Sequence, residues 1–569
     1  MKVVIIGGVA GGATAAARLR RLDESAEIVI LERSGYVSYA NCGLPYYIGG
    51  EITDEKELTL QTPQSFFARF QIDVRVKNEA LSIDREKKTV TVKNLADGSV
   101  YEETYDKLIL TPGANAVKPD IPGIGGSRIF TLRTVEDTMR VKAYTENEKP
   151  ESAVIIGGGF VGLEMAENLT NLGVKTTVVE KDRQVMGQLD YDMACSVHAY
   201  LKKKQVSLRL QSGVSSFEET DGGLLVTLDN GETLTASMAV MSIGVTPDTR
   251  LAAEAGLKLG LKGSIAVNDR MQTSDPDIYA AGDAVEISRF ATGERTLVPL
   301  AGPANKQGRI AADNICGRDS RYHGAQGSSV LKLFDMTVAA TGLSEKAAGN
   351  AGLSCDKAVT FSASHATYYP GASNMTIKTV FDKESGKILG AQIVGFDGVD
   401  KRIDVLATAI RAGMTGEDLT ELELAYAPPF SSAKDPVNMA GYVIENVRGG
   451  LVRQYHWHDV ENLPRDGSVI LLDTRTPSEY ERKHIEGTVN IPLDELRGRI
   501  GELNNAKPVY VNCFSGLRSY VACRILSGYG FTCYNLSGGF RFYDIVMSDA
   551  GLDTRAKHPC GVEIGAAGK

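Results

Sequence analysis

Two stretches of this chain repeat one pattern: a short apolar run, a glycine-rich turn, a helical stretch, a second apolar run and a closing glutamate. In the first, Val3-Val4-Ile5-Ile6 leads into Gly7-Gly8-Val9-Ala10-Gly11-Gly12, an alanine-rich helix through Leu22, the run Ile28–Leu31 and Glu32. In the second, Ala153–Ile156 leads into Gly157-Gly158-Gly159-Phe160-Val161-Gly162, a helix carrying Glu164 and Glu167, the run Val174–Val179 and Glu180. Runs this uniformly apolar suit strands buried on both faces, so each stretch predicts a parallel βαβ unit. The glycines permit a tight turn and let a pyrophosphate approach backbone N–H groups at the helix start. A carboxylate about twenty residues further on can accept a hydrogen bond from a ribose 2′-hydroxyl. The second motif is a complete G-x-G-x-x-G; in the first, Val9 replaces the middle glycine. Glu180 favours a free 2′-hydroxyl over a 2′-phosphate, hence NADH over NADPH, while Lys181 and Arg183 beside it soften that preference.

The remaining bulk properties narrow the class. At 569 residues the chain has room for three or four domains. A net charge of -9 argues against nucleic acid as the main partner. No apolar run reaches the roughly 18 residues of a membrane span, and the N-terminus enters a strand at Lys2 without room for a signal peptide. Eight cysteines without paired spacing suit a reducing cytoplasm and thiol chemistry better than a disulfide framework.

One of these cysteines is singled out by its setting. Ser38-Tyr39-Ala40-Asn41-Cys42-Gly43-Leu44-Pro45 follows the first βαβ unit, and Gly-Leu-Pro-Tyr-Tyr suits the start of a helix. A thiol there meets backbone dipoles that favour its thiolate, the form that attacks disulfides. Further on, Tyr105–Ala114 resembles the chain-crossing segment of two-dinucleotide flavoproteins, and Thr273–Asp283 resembles their second flavin motif, whose final aspartate holds the ribityl chain of FAD. Met241–Pro247 resembles the return crossing. Residues 325–445 mix strand and helix signals: Thr376–Phe381 alternates, and Lys401–Ala412 has helical spacing through Ile403, Leu406 and Ile410.

Together these motifs resemble the pyridine nucleotide-disulfide oxidoreductases, over residues 1 to about 445. The resemblance implies an α/β fold: an FAD-binding domain from 1–112 and 245–324, an NAD(P)H-binding domain from 113–244, both Rossmann-like, and an α+β dimerisation domain at 325–445. It implies a homodimer in which each dimerisation domain completes the other chain's active site. Its single-cysteine branch contains NADH oxidases, NADH peroxidases and coenzyme A disulfide reductases. Oxidases and peroxidases carry a histidine in the first glycine loop, where this chain has Ala10. Val-Ala-Gly-Gly-Ala-Thr, Arg18 with Arg21, and the tyrosine motifs around Tyr368 and Tyr426 resemble coenzyme A disulfide reductase instead.

What the resemblance implies for FAD is a site from Gly7, Gly8, Ala10, Gly11, Gly12, Glu32, Arg33, Ser38, Asn41, Cys42, Ala80, Thr111, Pro112, Gly113, Gly282, Asp283, Pro303 and Tyr426. For NAD it implies Gly157, Gly158, Gly159, Phe160, Val161, Gly162, Glu164, Glu180 and Gly244. Along the coenzyme A path stand Thr14, Arg18, Arg21, Ser38, Asn41, Cys42, Asn305 and Lys434. Arg18 and Arg21, three apart, share a helix face and form either a solvated cationic face or a clamp on phosphates. Tyr368 and Tyr426 are packing residues or phenols that serve a thiolate.

After Arg448-Gly449-Gly450 the pattern changes, with a polar linker at 446–459 and a compact α/β unit at 460–569. Val469–Arg475, His484–Pro492, the strand Pro508–Asn512 running into Cys513-Phe514-Ser515-Gly516-Leu517-Arg518-Ser519, and Leu536–Gly539 resemble a rhodanese domain. A cysteine between a strand end and a helix start is ringed by N–H donors that stabilise a thiolate or persulfide, and Arg518 adds positive charge. Cys195, Cys316, Cys355, Cys523 and Cys533 read as packing residues, and Cys560 as an exposed thiol without assigned role. The combined expectation is an FAD- and coenzyme A-dependent NADH:persulfide or polysulfide reductase that releases hydrogen sulfide through Cys42, with Cys513, supported by Arg518, handling sulfane sulfur and Tyr368 and Tyr426 serving the thiolate. The alternatives are a coenzyme A disulfide reductase for thiol homeostasis and a redox-controlled sulfur carrier. No metal is expected.

Overall fold

The computed structural model describes residues 1–550; Cys560 lies outside the described residues. The chain divides into two compact units, Met1–Lys181 with Ser212–Gly327, and Asp182–Gln211 with the chain from Ser328 onward.

In the first unit, the strands Ile278–Ala280, Lys107–Leu110, Lys2–Ile6, Glu27–Glu32 and Asp73–Val76 form a parallel sheet in that order. Val3, Val4 and Ile5 are fully buried, as the unbroken apolar run requires of a sheet covered on both faces. Helix Ala10–Leu22 covers the sheet beside helix Ala301–Ile315. The two helices approach so closely that a Cβ on Gly308 would lie 2.2 Å from the Gly11 carbonyl oxygen. A second parallel sheet contains Lys175–Val179, Ser152–Ile156, Met238–Met241 and Ile129–Thr131. The two predicted crossings lie side by side, Ala114–Ala116 pairing antiparallel with Val245–Pro247.

The second unit opens on helix Tyr191–Lys203 and holds two sheets. The antiparallel one runs Ser329–Leu333, Met336–Gly342, Ile388–Gly395, Asn374–Asp382, Cys355–Ala363. Helix Val399–Ala412 buries Ile403, Leu406 and Ile410, matching its predicted spacing. The alternation in Thr376–Phe381 marks a strand but not a solvated face. Its polar side is also buried, because Lys378 meets both oxygens of Asp192 at 2.8 Å, Asp190 at 3.1 Å and Glu345 at 2.8 Å. A cation with that many carboxylates can leave water without being stranded.

The other sheet is parallel, ordered Arg453–Tyr455, Cys533–Leu536, Val509–Asn512, Ile470–Asp473, Val489–Asn490. Its first strand falls inside the stretch expected to be a linker: Arg453–Tyr455 pairs with Tyr534–Leu536, and Tyr455 is buried. Helix Pro436–Arg448 likewise continues past residue 445. Among the described residues no helix is long and apolar enough to cross a membrane.

Candidate functional site

The glycine turn after Lys2–Ile6 opens onto a cavity of about 380 Å³. Gly7, Glu32, Arg33, Asn41, Ala80, Thr111, Pro112 and Gly113 all line it. Gly7 has φ 96°, the region that favours glycine, and a Cβ on Gly12 would lie 1.9 Å from the Gly7 carbonyl oxygen. Helix Ala10–Leu22 can therefore start hard against the turn. Thr111 ties the turn to the neighbouring strand, its hydroxyl donating to the Ile6 and Gly7 carbonyls at 2.9 and 2.8 Å. Glu32 accepts from the Gly8 and Ser34 N–H groups, both at 2.9 Å, and burial raises its pKa above the ordinary carboxylate value. Ser38 takes φ 49° while its N–H donates to Gly8. Arg33 pairs with Asp248, and Asp283 with Arg133 at 2.6 Å; Gly282 N–H donates to Gln307. Pro303 sits in the first turn of helix Ala301–Ile315. A glycine cradle, a carboxylate at the strand end and an elongated cavity at the sheet's carboxyl edge fit an adenine dinucleotide.

Cys42 lies in a short 3₁₀ turn, Asn41–Gly43, ahead of the six-residue helix Leu44–Gly49. The predicted helix start is there, but the predicted bias toward thiolate is reversed. Partial desolvation raises the thiol pKa, the Glu164 and Asp283 carboxylates add to it, and Arg133 opposes them. A helix this short contributes too little dipole to outweigh that. Glu164 itself is pushed up to about 7 by burial, against a hydrogen bond from the Tyr46 hydroxyl.

The second glycine turn repeats the first closely. Gly157 has φ 105°, and a Cβ on Gly162 would lie 2.0 Å from the Gly157 carbonyl oxygen. Gly158 N–H donates to Glu180 at 2.7 Å, the counterpart of the Gly8–Glu32 contact. Ser242 ties Ile156 and Gly157 as Thr111 does in the first turn. Gly159 precedes the helix that begins at Phe160 and Val161, and Gly244 takes φ 121°.

Among the coenzyme A residues, Thr14 donates to Asn305 at 2.8 Å, joining two positions far apart in sequence. Arg18 pairs through Nε with Asp313 at 2.7 Å, while Arg21 stays exposed. Lys434 is exposed in the second unit. There too, the Tyr368 and Tyr426 hydroxyls lie 2.8 Å apart, on side chains 74% and 47% exposed. Phenols packed for stability would be covered, so this pair is available to a ligand or a second chain.

Cys513 follows the strand Val509–Asn512 and is fully buried beneath its loop. Its sulfur accepts from Gly516 N–H at 3.1 Å and from the Ser519 hydroxyl at 3.2 Å. Gly516, at φ 100°, turns the loop into helix Leu517–Gly528. The loop is held from behind, since a Cβ on Gly539 would lie 2.7 Å from the Gly516 and Ser515 nitrogens. Arg518, expected to add positive charge beside Cys513, is itself paired. It forks onto Glu479 with two contacts of 2.8 Å, which hold the Glu479 carboxyl down at about 2.

The family model for the pyridine nucleotide-disulphide oxidoreductases matches residues 1–308. The chain belongs to that family. As a pyridine nucleotide-disulphide oxidoreductase it has FAD and NAD(P)H as cofactors, and the two glycine cradles are where they fit. The family's dimerisation-domain model matches residues 328–436, and a rhodanese-like domain matches 456–543. The coenzyme A disulfide reductase of Staphylococcus aureus is 36% identical over 442 residues, 78% of this chain and 99% of the relative. A reduced Bacillus anthracis protein named CoADR-RHD is 49% identical with a TM-score of 0.94, covering 96% of this chain and 98% of its own. An NAD-dependent persulfide reductase from A. fulgidus is 39% identical with a TM-score of 0.89, covering 95% and 100%.

Within this oxidoreductase, sequence reading missed two clusters. Cys533 is buried beside Cys523: its thiol donates to the Cys523 carbonyl oxygen at 3.2 Å, and contact with the Cys523 thiol draws its pKa down. Cys195, His198 and Asp549 are buried together. Both His198 nitrogens are engaged there, Nδ1 with Asp549 at 2.9 Å and Nε2 accepting from Val185 N–H at 3.1 Å. No spacing rule links residues 195 and 549.

Proposed function

We propose that this oxidoreductase is an NADH-dependent persulfide and polysulfide reductase that uses coenzyme A, loads sulfane sulfur at Cys513 and releases hydrogen sulfide at Cys42. The observation that carries the reading is the cradle at Cys513, supported by an exposed Cys42 that follows Asn41, a residue lining the dinucleotide cavity. Donors converging on Sγ suit the Cys513 thiolate, the form that attacks a sulfane sulfur. The Cys42 thiolate attacks the inner sulfur of a coenzyme A persulfide. A Cys42–coenzyme A disulfide forms, the persulfide S–S bond breaks and hydrosulfide leaves with the electron pair. FAD held by the first glycine cradle, and a nicotinamide held by the second, would supply the two electrons that reopen that disulfide. Thr14 and Asn305 line the coenzyme A path, and the joined Tyr368 and Tyr426 hydroxyls serve the leaving thiolate with a proton across the homodimer.

NADH is the donor in this reading. Glu180 is held by Gly158 N–H, and the Arg183 that would attract a 2′-phosphate lies 4.2 Å over the Tyr191 ring. We propose the domain limits read from sequence, with the C-terminal module taken back to Arg453, and the reducing cytoplasm as the compartment. The test is anaerobic: NADH plus polysulfide should yield sulfide with wild type and not with Cys42→Ser. Undiminished sulfide from the variant removes Cys42 from the mechanism. The 36% identity to a coenzyme A disulfide reductase favours a second reading, thiol homeostasis. Faster turnover of coenzyme A disulfide than of coenzyme A persulfide would select it.

A further inference from the structure

Three guanidinium groups surround the Cys513 loop, and two are already spent. Arg518 forks onto Glu479, and Arg475 is buried against Asp473 with a further bond to the Lys483 carbonyl. The third is Arg541, in the first turn of helix Gly539–Ala550. Its backbone is locked to the loop: Arg541 N–H donates to the Phe514 carbonyl at 2.9 Å, one residue after Phe540 N–H reaches the Cys513 carbonyl at 2.7 Å. Its guanidinium carbon lies 5.1 Å from the centre of the Phe361 ring and 5.9 Å from that of Phe514. Among the described residues no carboxylate pairs with it and no oxygen accepts from its N–H groups. Partial burial lowers its pKa.

Aromatic rings steady a guanidinium by their faces but accept none of its five in-plane donors. A partly desolvated cation held this way gains more from an anion than one in water. Phe514 beside it and Leu517 at the helix start after the loop are both exposed apolar side chains. We infer that Arg541 sets donor specificity at Cys513, holding the anionic end of an incoming sulfane donor while its sulfur reaches Cys513. This rests on the reading of Cys513 as the sulfane acceptor. With thiosulfate as probe, the Cys513 thiolate bonds the outer sulfur, the thiosulfate S–S bond breaks, and sulfite departs with its electron pair, leaving a Cys513 persulfide. No outside oxidant is needed.

The experiment uses the full-length flavoprotein. Arg541→Gln should raise KM for thiosulfate about tenfold, the worth of one charge-assisted hydrogen bond, with kcat changed less than about twofold. Arg541→Lys should recover part of the loss, and added salt should weaken wild type more than Arg541→Gln. A second readout needs no turnover: alkylation of Cys513 by anionic iodoacetate and by neutral iodoacetamide, each relative to a free thiol and read by peptide mass. Wild type should favour the anion, and Arg541→Gln should lose that preference. Equal KM values, an unchanged alkylation ratio, or no reaction of Cys513 with either reagent overturns the assignment. Wild type that alkylates with the anionic preference yet gains no sulfur from thiosulfate or polysulfide overturns the sulfane-acceptor reading and, with it, donor selection, leaving Arg541 only as a group that holds anions beside Cys513.

Discussion

Replacing Lys378 with methionine removes a buried charge from among three carboxylates at little change in volume. The loss is unequally shared. Asp190 keeps the N–H groups of Glu345 and Lys346 and the Gln392 amide, and Glu345 keeps Lys357. Asp192 has both oxygens on Lys378 and retains only the Trp457 indole N–H at 3.2 Å. Stranding one buried partner costs about 3–5 kcal/mol. A second route gives a ceiling: protonating an ordinary aspartic acid at pH 7 costs about 4 kcal/mol, so the penalty cannot far exceed that. Trp457 is the chain's single tryptophan, so its fluorescence during urea unfolding reads this site directly. The variant should lose about 3–4 kcal/mol at pH 7 and regain about 1.4 kcal/mol per pH unit on acidification, as the stranded Asp192 takes up a proton in the folded state. Asp192→Asn in the same chain should recover most of the loss. A Lys378→Met protein that loses under about 1 kcal/mol, with no pH dependence of its own, refutes the reasoning.

Other outcomes follow from the same geometry. Glu164 has its folded pKa raised from 4.5 to about 7, so the stability it contributes is complete below 4.5 and lost as pH rises through 7. Glu164→Gln should raise the thermal midpoint at pH 8 relative to wild type and lower the pH at which Cys42 is alkylated. Glu479 runs the opposite way: its folded value of about 2 makes its contribution complete above 4.5 and lost as pH falls toward 2. Screened as it is, Glu479→Gln should cost about 1 kcal/mol at pH 7 and flatten that acid limb in urea titrations. Gly162→Ala forces a Cβ against the Gly157 carbonyl, and should raise KM for NADH about tenfold or more while leaving flavin content unchanged.

What was legible in the sequence was local. Both glycine turns and their glutamates formed as read, because strand, turn and acceptor lie within about thirty residues of one another. The Tyr368 and Tyr426 meeting was legible only through family resemblance, since spacing does not bring two loops together. Arg18 shares a helix with Arg21, but spacing gives no sign of its pairing with Asp313 on another helix. The Cys42 environment was misjudged for a related reason, because Glu164 and Asp283 arrive from distant segments. Lys378 sits in an alternating stretch that gives no sign of its partners, which come from elsewhere in the chain.

The edge strand Arg453–Tyr455 bears on how this protein can be dissected. An excised fragment beginning at 456 would leave the backbone of Cys533–Leu536 unpaired, and uncapped edges recruit other chains. Such a fragment should clump or swap strands, and its poor behaviour would say nothing about the competence of Cys513. Excision upstream of Arg453 keeps the sheet whole, so the ancestral joint between the two halves is best sought before that strand.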